Sequence, residues 1–388
     1  MSKSLKERLV EIRRTIHQNP ELSLEEKNTA NLVAAILTDL GLEVQSEVVK
    51  TGVVGLLRGR NNGKTIALRA DMDALPVQEA RDVPYKSRVD GVMHACGHDG
   101  HVAMLLGAAM LLSQERDHLS GNVKFIFQPA EESSAGALPM IKEGVLDNPK
   151  VDAIVGAHLW PELEAGDVGI QYGPTMGAVD NFWITIKGKG GHGAMPHEGV
   201  DAIVVAAHVI CALQQIVSRQ INAADPTVVS IGTINGGFRR NVVAEEVKLT
   251  GTFRTLNPEV RRAMPEKIER IIKGVTESFG ATYEIFFDPR QPVTVNERNL
   301  TAFCTEVLKD IIGSEHVVHL EKAPLVGEDF AYYGENVPAA FLKIGCSNPE
   351  KGITAMLHSA YFDMDEDALL IGAKSMAAIA TKYLAENE

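Results

Sequence analysis

The segment "MHACGHDGH", at positions 93–101, places three histidines, one cysteine and one aspartate within nine residues. Cys96 and His98 flank a single glycine, and a turn at that glycine lets both side chains approach one centre. Thiolate and imidazole are common ligands of divalent transition metals. A cysteine with a histidine base can also act as a nucleophile. The segment alone therefore leaves three interpretations open: a metal site, a nucleophilic cysteine with its base, or polar side chains that are close only in sequence.

Other residues of metal-ligand type follow segments that are typical of buried strands. Asp71 and Asp73 come after "TIALRA". Glu131 and Glu132 come shortly after "NVKFIFQ", and His158 follows "AIVGA". Because the carboxyl ends of parallel strands meet at one edge of a sheet, we expect these side chains to lie close together. Each feature alone is more often structural, but their coincidence at independent strand ends favours a metal site.

The nucleophile alternative explains fewer of these residues. With Cys96 as the nucleophile, four residues would have no role, namely Glu131, Glu132, His158 and, in "MLHSA", His358. Glu131 and Glu132 are neighbours, so their side chains cannot both point the same way on an extended segment. Opposite orientations allow a division of roles, in which one carboxylate binds metal and the other faces the substrate. We therefore prefer the metal site.

The elements that position these residues predict an α/β domain. The strands "TIALRA" (65–70) and "NVKFIFQ" (122–128) are separated by "HVAMLLGAAMLLSQ" (101–114), which is apolar all round and predicts a buried helix. The strand "AIVGAH" (153–158) follows. Alternating strands and helices with continuously apolar strands indicate a largely parallel sheet.

Residues 181–290 differ in kind and predict an inserted domain. "NFWITIKGKG" alternates apolar and polar residues, as a strand with one open face does. The pattern then continues as helix, strand, strand, helix and strand, which is a ferredoxin-like α+β order. The α/β pattern returns from residue 291. We therefore expect a catalytic α/β domain formed by residues 1–180 and 291–388, with residues 181–290 inserted.

Composition narrows the class of protein. A chain of 388 residues is long enough for two domains. Its net charge of −13, without basic runs, disfavours nucleic acid and anionic membranes as partners. No apolar signal core is present, and no run is expected to span a bilayer. Four cysteines without a Cys-x-x-Cys pair fit a reducing compartment, so we expect a cytoplasmic protein.

Five motifs carry a resemblance to a known family. "MHACGHDGH", "FQPAEE", "GAHLWP", "GGHGAMPHEGVDA" and "GEDFAYY" occur in that order. Together they resemble the aminoacylase/hippurate hydrolase family of binuclear metallopeptidases, the subfamily that includes plant auxin-conjugate hydrolases and bacterial N-acyl-amino-acid deacylases. The likeness covers essentially the whole chain. It implies a catalytic domain with two metal ions, an inserted lid domain that also makes a homodimer, and hydrolysis of N-acyl-L-amino acids.

The same resemblance implies roles for individual residues. Glu131 corresponds to the general base, and His192 to a lid histidine that reaches the active site of the neighbouring subunit in relatives. Asn241 and Arg254 correspond to substrate contacts, Arg254 with the substrate carboxylate. For Arg254, an outward-facing strand residue is an equal alternative. The family's metal ligands correspond to Cys96, His98, Glu132, His158 and His358.

The remaining questions concern metal, supporting residues and substrate. A thiolate ligand favours zinc, although carboxylate and imidazole also accept manganese, cobalt or nickel. Asp71 and Asp73 are either orienting partners of the ligands or ordinary turn residues. A dipeptidase or carboxypeptidase on the same site is the alternative function. A non-catalytic metal-binding protein is less favoured, because it would not need a second carboxylate beside the ligand Glu132.

Overall fold

The computed structural model describes residues 3–387. Its helices are α1 (Leu5–Gln18), α2 (Lys27–Asp39), α3 (His98–Gln114), α4 (Ala137–Lys142), α5 (Ala202–Gln215), α6 (Pro258–Ser278), α7 (Arg298–Ile312), α8 (Ala331–Gly334) and α9 (Asp367–Glu386). Its strands are β1 (Glu43–Val48), β2 (Gly52–Arg58), β3 (Lys64–Asp71), β4 (Gly121–Gln128), β5 (Ala153–Glu164), β6 (Val168–Ile170), β7 (Gly173–Met176), β8 (Ala178–Lys187), β9 (Gly191–His192), β10 (Thr227–Gly236), β11 (Val242–Val243), β12 (Glu246–Thr255), β13 (Thr282–Gln291), β14 (Thr294–Asn296), β15 (Val317–His319) and β16 (Ala339–Ser347).

The chain divides into two compact units. Unit 2 comprises Pro174–Thr294 and the short segment Ala323–Glu328, and unit 1 comprises the rest of the described chain. The insertion predicted at residues 181–290 falls inside the first segment of unit 2. The second segment was not expected there, because nothing in its composition distinguishes it from the α/β sequence on either side.

Unit 1 is built on one eight-stranded sheet, in the order β1-β2-β4-β3-β5-β16-β6-β15. Strands β4, β3, β5 and β16 run parallel to one another. On one side β2 pairs antiparallel with β4 and β1 with β2, and on the other side β6 pairs antiparallel with β16. The central strands are buried along most of their length, which explains their continuously apolar sequences. The predicted largely parallel α/β sheet is confirmed.

Helix α3 packs into the core of unit 1 beside α1 and α9. Nearly all its residues are buried, as its all-round apolar sequence predicts. Gly107 permits the close approach to α9, because a Cβ atom there would lie 2.7 Å from the Cβ of Ala373. This packing fixes the helix whose first turn carries His98.

Unit 2 contains a four-stranded antiparallel sheet in the order β10-β12-β8-β13. Helices α5 and α6 cover one face of it. On β8, Phe182 and Ile184 point into this core, whereas Trp183 between them is exposed. The strand order and the helices on one face make the ferredoxin-like architecture that the predicted order of helices and strands in residues 181–290 indicated.

Within residues 3–387, two helical stretches reach the length and hydropathy of a membrane-spanning segment. They are Ala202–Gln220, which is α5 with the π-helical turn that follows it, and Asp367–Glu386, which is α9. The expectation that no run is long and apolar enough to span a bilayer was wrong by the criteria of length and hydropathy. Both helices bury part of their surface inside the protein, and core helices pass the same test. Length and composition are therefore weak evidence for a membrane span here.

Candidate metal centre and active site

The candidate site lies at the carboxyl edge of the parallel strands of unit 1. Strand β3 ends at Asp71, β4 ends just before the loop that carries Glu131, and β5 contains His158. Helix α3 begins at His98, directly after Gly97, whose φ of +85° is a left-handed conformation that glycine adopts without steric cost. The convergence expected from the strand ends is therefore observed.

Side-chain atoms of metal-ligand type approach one another closely at this edge. Cys96 Sγ lies 3.5 Å from His158 Nε2. Glu132 Oε1 lies 3.2 Å from His358 Nε2 and 4.0 Å from His98 Nε2. Three overlapping groups each bring their ligand atoms within 4.8 Å of one another: Cys96, His98 and His158; Cys96, Glu132 and His358; and His98, Glu131 and Glu132.

These residues fit divalent metal ions. His98 Nε2 is buried and has no hydrogen-bond partner in the part of the chain that the structure describes. Glu132 Oε1 lies close to His358 but lacks the geometry of a hydrogen bond. Buried polar atoms of this kind normally have partners, and a cation would supply one for both. The mixture of thiolate, imidazole and carboxylate is a typical set of ligands for zinc and related ions.

Two carboxylates orient the histidines at the first turn of α3. The Nδ1–H of His98 donates to Asp73 Oδ1 at 3.2 Å, and that of His101 donates to Asp71 Oδ1 at 2.6 Å. Burial lowers the pKa of His98, but Asp71 and Asp73 outweigh that effect and raise it to about 10. Asp71 and Asp73 are thus partners of histidines, which matches the orienting alternative from the sequence.

His158 is held in one tautomer by the peptide of Leu159. Its Nδ1–H donates to Leu159 O at 2.7 Å, which leaves the Nε2 lone pair facing Cys96. The N–H of Leu159 in turn donates to His101 Nε2 at 2.9 Å. Burial lowers the pKa of His158 well below its usual value, so the ring is neutral. A neutral imidazole with a directed lone pair is a competent metal ligand.

The environment of Cys96 does not suit a nucleophile. The side chain is buried, and burial together with Glu132 and Glu131 raises the pKa of its thiol well above the usual value. A catalytic cysteine needs the opposite, a lowered pKa in a positive environment. A bound cation would favour the thiolate. The geometry therefore favours Cys96 as a metal ligand over the nucleophile alternative.

The loop that leads into the two adjacent glutamates is strained. Ala130, just before them, has φ +57°, which is unusual for a residue with a Cβ atom. The backbone N–H groups of Glu131 and Glu132 donate to the two oxygens of Asp73, each at 3.1 Å. Glu131 Oε1 accepts from the N–H of Asp329 at 3.3 Å, whereas Glu132 faces His358. The two carboxylates therefore have different surroundings.

A buried network behind the site was not recognised from the sequence. Arg69 donates to Asp71 Oδ2 at 2.7 Å and to Asp329 Oδ1 at 2.9 Å. Gln128 also donates to Asp329, at 2.7 Å. The available signal was Arg69 itself, because an arginine inside the apolar strand "TIALRA" needs buried acidic partners. The role of His101 depends on the backbone of Leu159, which no motif indicates.

The other predicted site residues belong to unit 2. His192 on β9 is exposed, and its Nδ1 accepts from the N–H of Ala194 at 3.0 Å. Asn241 lies beside it, because the N–H of Gly193 donates to Asn241 O at 2.9 Å. Arg254 on β12 is half-buried and donates to Leu325 O at 3.1 Å. The structure thus brings His192 and Asn241 together and places Arg254 on a different strand.

Comparisons with known proteins agree with this geometry. Residues 67–382 match the model of peptidase family M20/M25/M40. The chain is 40% identical to N-acetylcysteine deacetylase of Bacillus subtilis, over 98% of both proteins. It is 43% identical to thermostable carboxypeptidase 2 of Saccharolobus solfataricus, over 98% of this chain and 96% of the relative. It is 40% identical to IAA-amino acid hydrolase ILR1-like 5 of Arabidopsis thaliana, over 98% of this chain and 87% of the relative.

A solved structure supports the same assignment. The YXEP protein of Bacillus subtilis, described as a dinuclear metal-binding peptidase from the M20 family, is 38% identical. It covers all of both chains with a TM-score of 0.87. Matches of this identity and coverage, together with the grouped ligand-type residues, establish a metal-dependent hydrolase. The chain belongs to peptidase family M20/M25/M40.

Proposed function

We propose that the protein hydrolyses the amide bond of N-acyl-L-amino acids to a carboxylate and a free amino acid. The observation that carries this proposal is the divergence of two adjacent carboxylates. Glu132 belongs to two of the three groups of ligand-type side chains, with His358 and with His98. Glu131 belongs only to the group with His98, and its Oε1 accepts a separate hydrogen bond from the Asp329 N–H. Relatives named as N-acetylcysteine deacetylase and IAA-amino acid hydrolase act on acylated amino acids, which supports this substrate class.

The residues that would hold two divalent ions are Cys96, His98, Glu132, His158 and His358. When bound, such ions supply Lewis-acid activation of water and of a carbonyl oxygen. The buried Cys96 favours zinc through its soft sulfur, while the carboxylate and imidazoles leave manganese, cobalt and nickel as alternatives.

Glu131 would act as the general base. Its carboxylate would accept a proton from the attacking water and pass it to the nitrogen of the leaving amine. The hydrogen bond that Oε1 accepts from the Asp329 N–H would hold the carboxylate in place for this transfer. Asp73 would keep the loop in place, since it accepts from both Glu131 and Glu132 N–H groups.

His192 would donate a hydrogen bond to the oxyanion of the tetrahedral intermediate. Because its Nδ1 accepts from the Ala194 N–H, the ring proton of a neutral His192 resides on Nε2, which is then a donor. Asn241 and Arg254 would contact the substrate, Arg254 through the substrate carboxylate. We further propose a homodimer in which His192 serves the active site of the partner subunit.

Mixing two inactive variants tests the shared site. We expect Glu131→Gln and His192→Ala homodimers each to be nearly inactive. A heterodimer of the two would contain one intact site if His192 acts across the interface, so about half of the wild-type activity per heterodimer should return. If His192 acts within its own chain, both sites of the heterodimer remain damaged and no activity returns.

The alternative function is that of a dipeptidase or carboxypeptidase. It is favoured by the relative named thermostable carboxypeptidase 2, at 43% identity. A C-terminal peptide bond and an N-acyl amino acid share an amide next to a free carboxylate, so the same residues serve both.

A substrate panel separates the two functions. Chelator-treated protein is assayed with N-acetyl and N-benzoyl amino acids and with dipeptides, after adding zinc, manganese, cobalt or nickel singly. Release from the N-acyl compounds only with metal supports the proposal, and the most active ion identifies the preferred metal. Release from dipeptides alone supports the peptidase. No release with two ions bound per chain would overturn both.

We also propose a cytoplasmic location. All four cysteines are free, which suits a reducing compartment. Fractionation of the source cell, with detection of the protein, tests this directly.

A further inference from the structure

Three consecutive backbone N–H groups of the loop after β4 donate to buried carboxylates. The N–H groups of Glu131 and Glu132 donate to Asp73. The N–H of Ala130 donates at 2.9 Å to Oε1 of Glu26, a residue from the turn before α2. The carboxylate of Glu26, which is remote in sequence and not among the proposed metal ligands, therefore holds Ala130, the residue at which the loop changes direction.

Glu26 is built into this position. Its side chain is completely buried, and its other oxygen, Oε2, accepts from the hydroxyl of Thr51 at 2.6 Å. Thr51 follows Val49 and Lys50, both with positive φ, in the turn between β1 and β2. Two elements from the amino-terminal part of unit 1 therefore meet at the loop that carries Glu131 and Glu132.

The conformation of Ala130 needs such support. Its φ of +57° places a residue with a Cβ atom in the left-handed region, which carries a steric cost unless the surroundings hold it there. That conformation turns the chain between the end of β4 and the two glutamates. If the peptide relaxed, Glu131 and Glu132 would no longer point to the separate surroundings described above.

We propose that Glu26 is a positioning residue for the active site. Its hydrogen bond to the Ala130 N–H holds the left-handed turn, and thereby sets Glu132 among the ligand-type side chains and Glu131 beside them. The roles of those two residues rest on the proposed function, but the turn itself does not.

Metal affinity and a cobalt spectrum test this role without relying on activity. Metal-free Glu26→Ala is titrated with zinc and, separately, with cobalt(II). Loss of a residue that orients a ligand weakens metal affinity by about 10–100-fold, and we expect a change in that range for one of the two ions. The visible cobalt spectrum should also change, because Glu132 would shift. Glu25→Ala, an exposed neighbour, is the matched control and should match the wild type.

Two further variants separate positioning from general destabilisation. Glu26→Gln keeps one acceptor oxygen and should lose less than 10-fold in affinity, since an amide oxygen still accepts from the N–H. Ala130→Gly in the Glu26→Ala background should restore a large part of the affinity, because glycine adopts positive φ without steric cost. A folded Glu26→Ala protein with the affinity and cobalt spectrum of Glu25→Ala would overturn the proposal. So would failure of Ala130→Gly to restore any affinity.

Activity then distinguishes this proposal from the proposed function. We expect kcat/KM for N-acetyl-L-amino acids to fall in Glu26→Ala and to recover partly in the double variant. If the wild type with two ions hydrolyses none of these amides, the proposed function fails. Zinc affinity and the cobalt spectrum would still decide the role of Glu26.

Discussion

At the scale of single residues, His101 links the carboxylate of Asp71 to the backbone that orients His158. It bridges Asp71 and the N–H of Leu159, whose carbonyl fixes the tautomer of His158. We expect His101→Phe to weaken zinc affinity by about 10–100-fold, because it removes the hydrogen bonds of His101 to Asp71 and to the Leu159 N–H and so frees the His158 ring. Isothermal titration of metal-free protein measures this. The exposed His118→Phe is the control, and equal affinities of the two variants would contradict the account.

Sequence reasoning predicted residue types better than residue conformations. The placement of Cys96, His98 and Glu132 near one centre followed from strand ends and motif spacing. The strained Ala130 and the partner of its N–H, Glu26, could not be predicted, because a left-handed alanine has no sequence signature and the hydrogen bond joins positions far apart in the chain. A hydrogen bond between residues so far apart in the chain forms only when the fold brings them together.

At the scale of elements, the contact between α3 and α9 leaves no space at Gly107. A methyl group there would lie 2.7 Å from the Cβ of Ala373, whose position is fixed by the backbone. We expect Gly107→Ala to lower the free energy of unfolding by about 1–3 kcal/mol, as overpacking does. Gly274→Ala in α6 meets no atom within 4 Å and should instead raise it by about 0.5–1 kcal/mol. Urea unfolding measures both changes, and a shift of the same sign in both variants would contradict this packing argument.

Asp365 stabilises the start of α9. It accepts from Lys351 Nζ at 2.8 Å and from the N–H of Asp367 at 3.1 Å. Burial raises its pKa, but Lys351 and Asn348 outweigh that effect and lower it below the usual value. We expect Asp365→Asn to lower the free energy of unfolding by about 1–2 kcal/mol at pH 7.

The pH dependence of that difference follows from the lowered pKa. Because the folded carboxyl has the lower pKa, its contribution is present above the unfolded value of about 3.9 and is lost as pH falls through the folded value. The difference in stability between wild type and Asp365→Asn should therefore begin to shrink as the pH falls below about 4. Urea unfolding of metal-free protein at pH 7 and pH 3 measures this, and a constant difference would refute it.

At the same scale, elements with a regular pattern of apolar and polar residues were predicted well, and elements without such a pattern were not. The order of strands and helices that begins with β8, where apolar and polar residues alternate, indicated the ferredoxin-like architecture. The apolar helix α3 between two apolar strands indicated the α/β architecture. Strand β1 was not predicted, because it is exposed along most of its length and lacks a clear hydrophobic pattern. Strand β2 was not predicted either, although it is buried along most of its length. The segment Ala323–Glu328 joins unit 2 through tertiary contacts, which periodicity does not report.

At the scale of the whole molecule, metal binding should be visible as stability. An ion that binds only the folded protein stabilises it by about 2.7 kcal/mol at 100 times its Kd. We therefore expect chelation to lower the melting temperature and added zinc to restore it in proportion to the logarithm of its concentration. His358→Ala should reduce this response. A melting temperature that is insensitive to chelator and zinc would contradict binding at the proposed centre.

The measurement that tests the central claim most directly is the metal content and turnover of Glu131→Gln. The account predicts two ions per chain, as in wild type, with kcat for an N-acetyl-L-amino acid lowered by about 10²–10⁴-fold, the usual contribution of a general base. The exposed Glu350→Gln should retain both metal and activity. Near-normal turnover in Glu131→Gln would remove Glu131 as the base, and loss of metal would mean that Glu131 is a ligand instead.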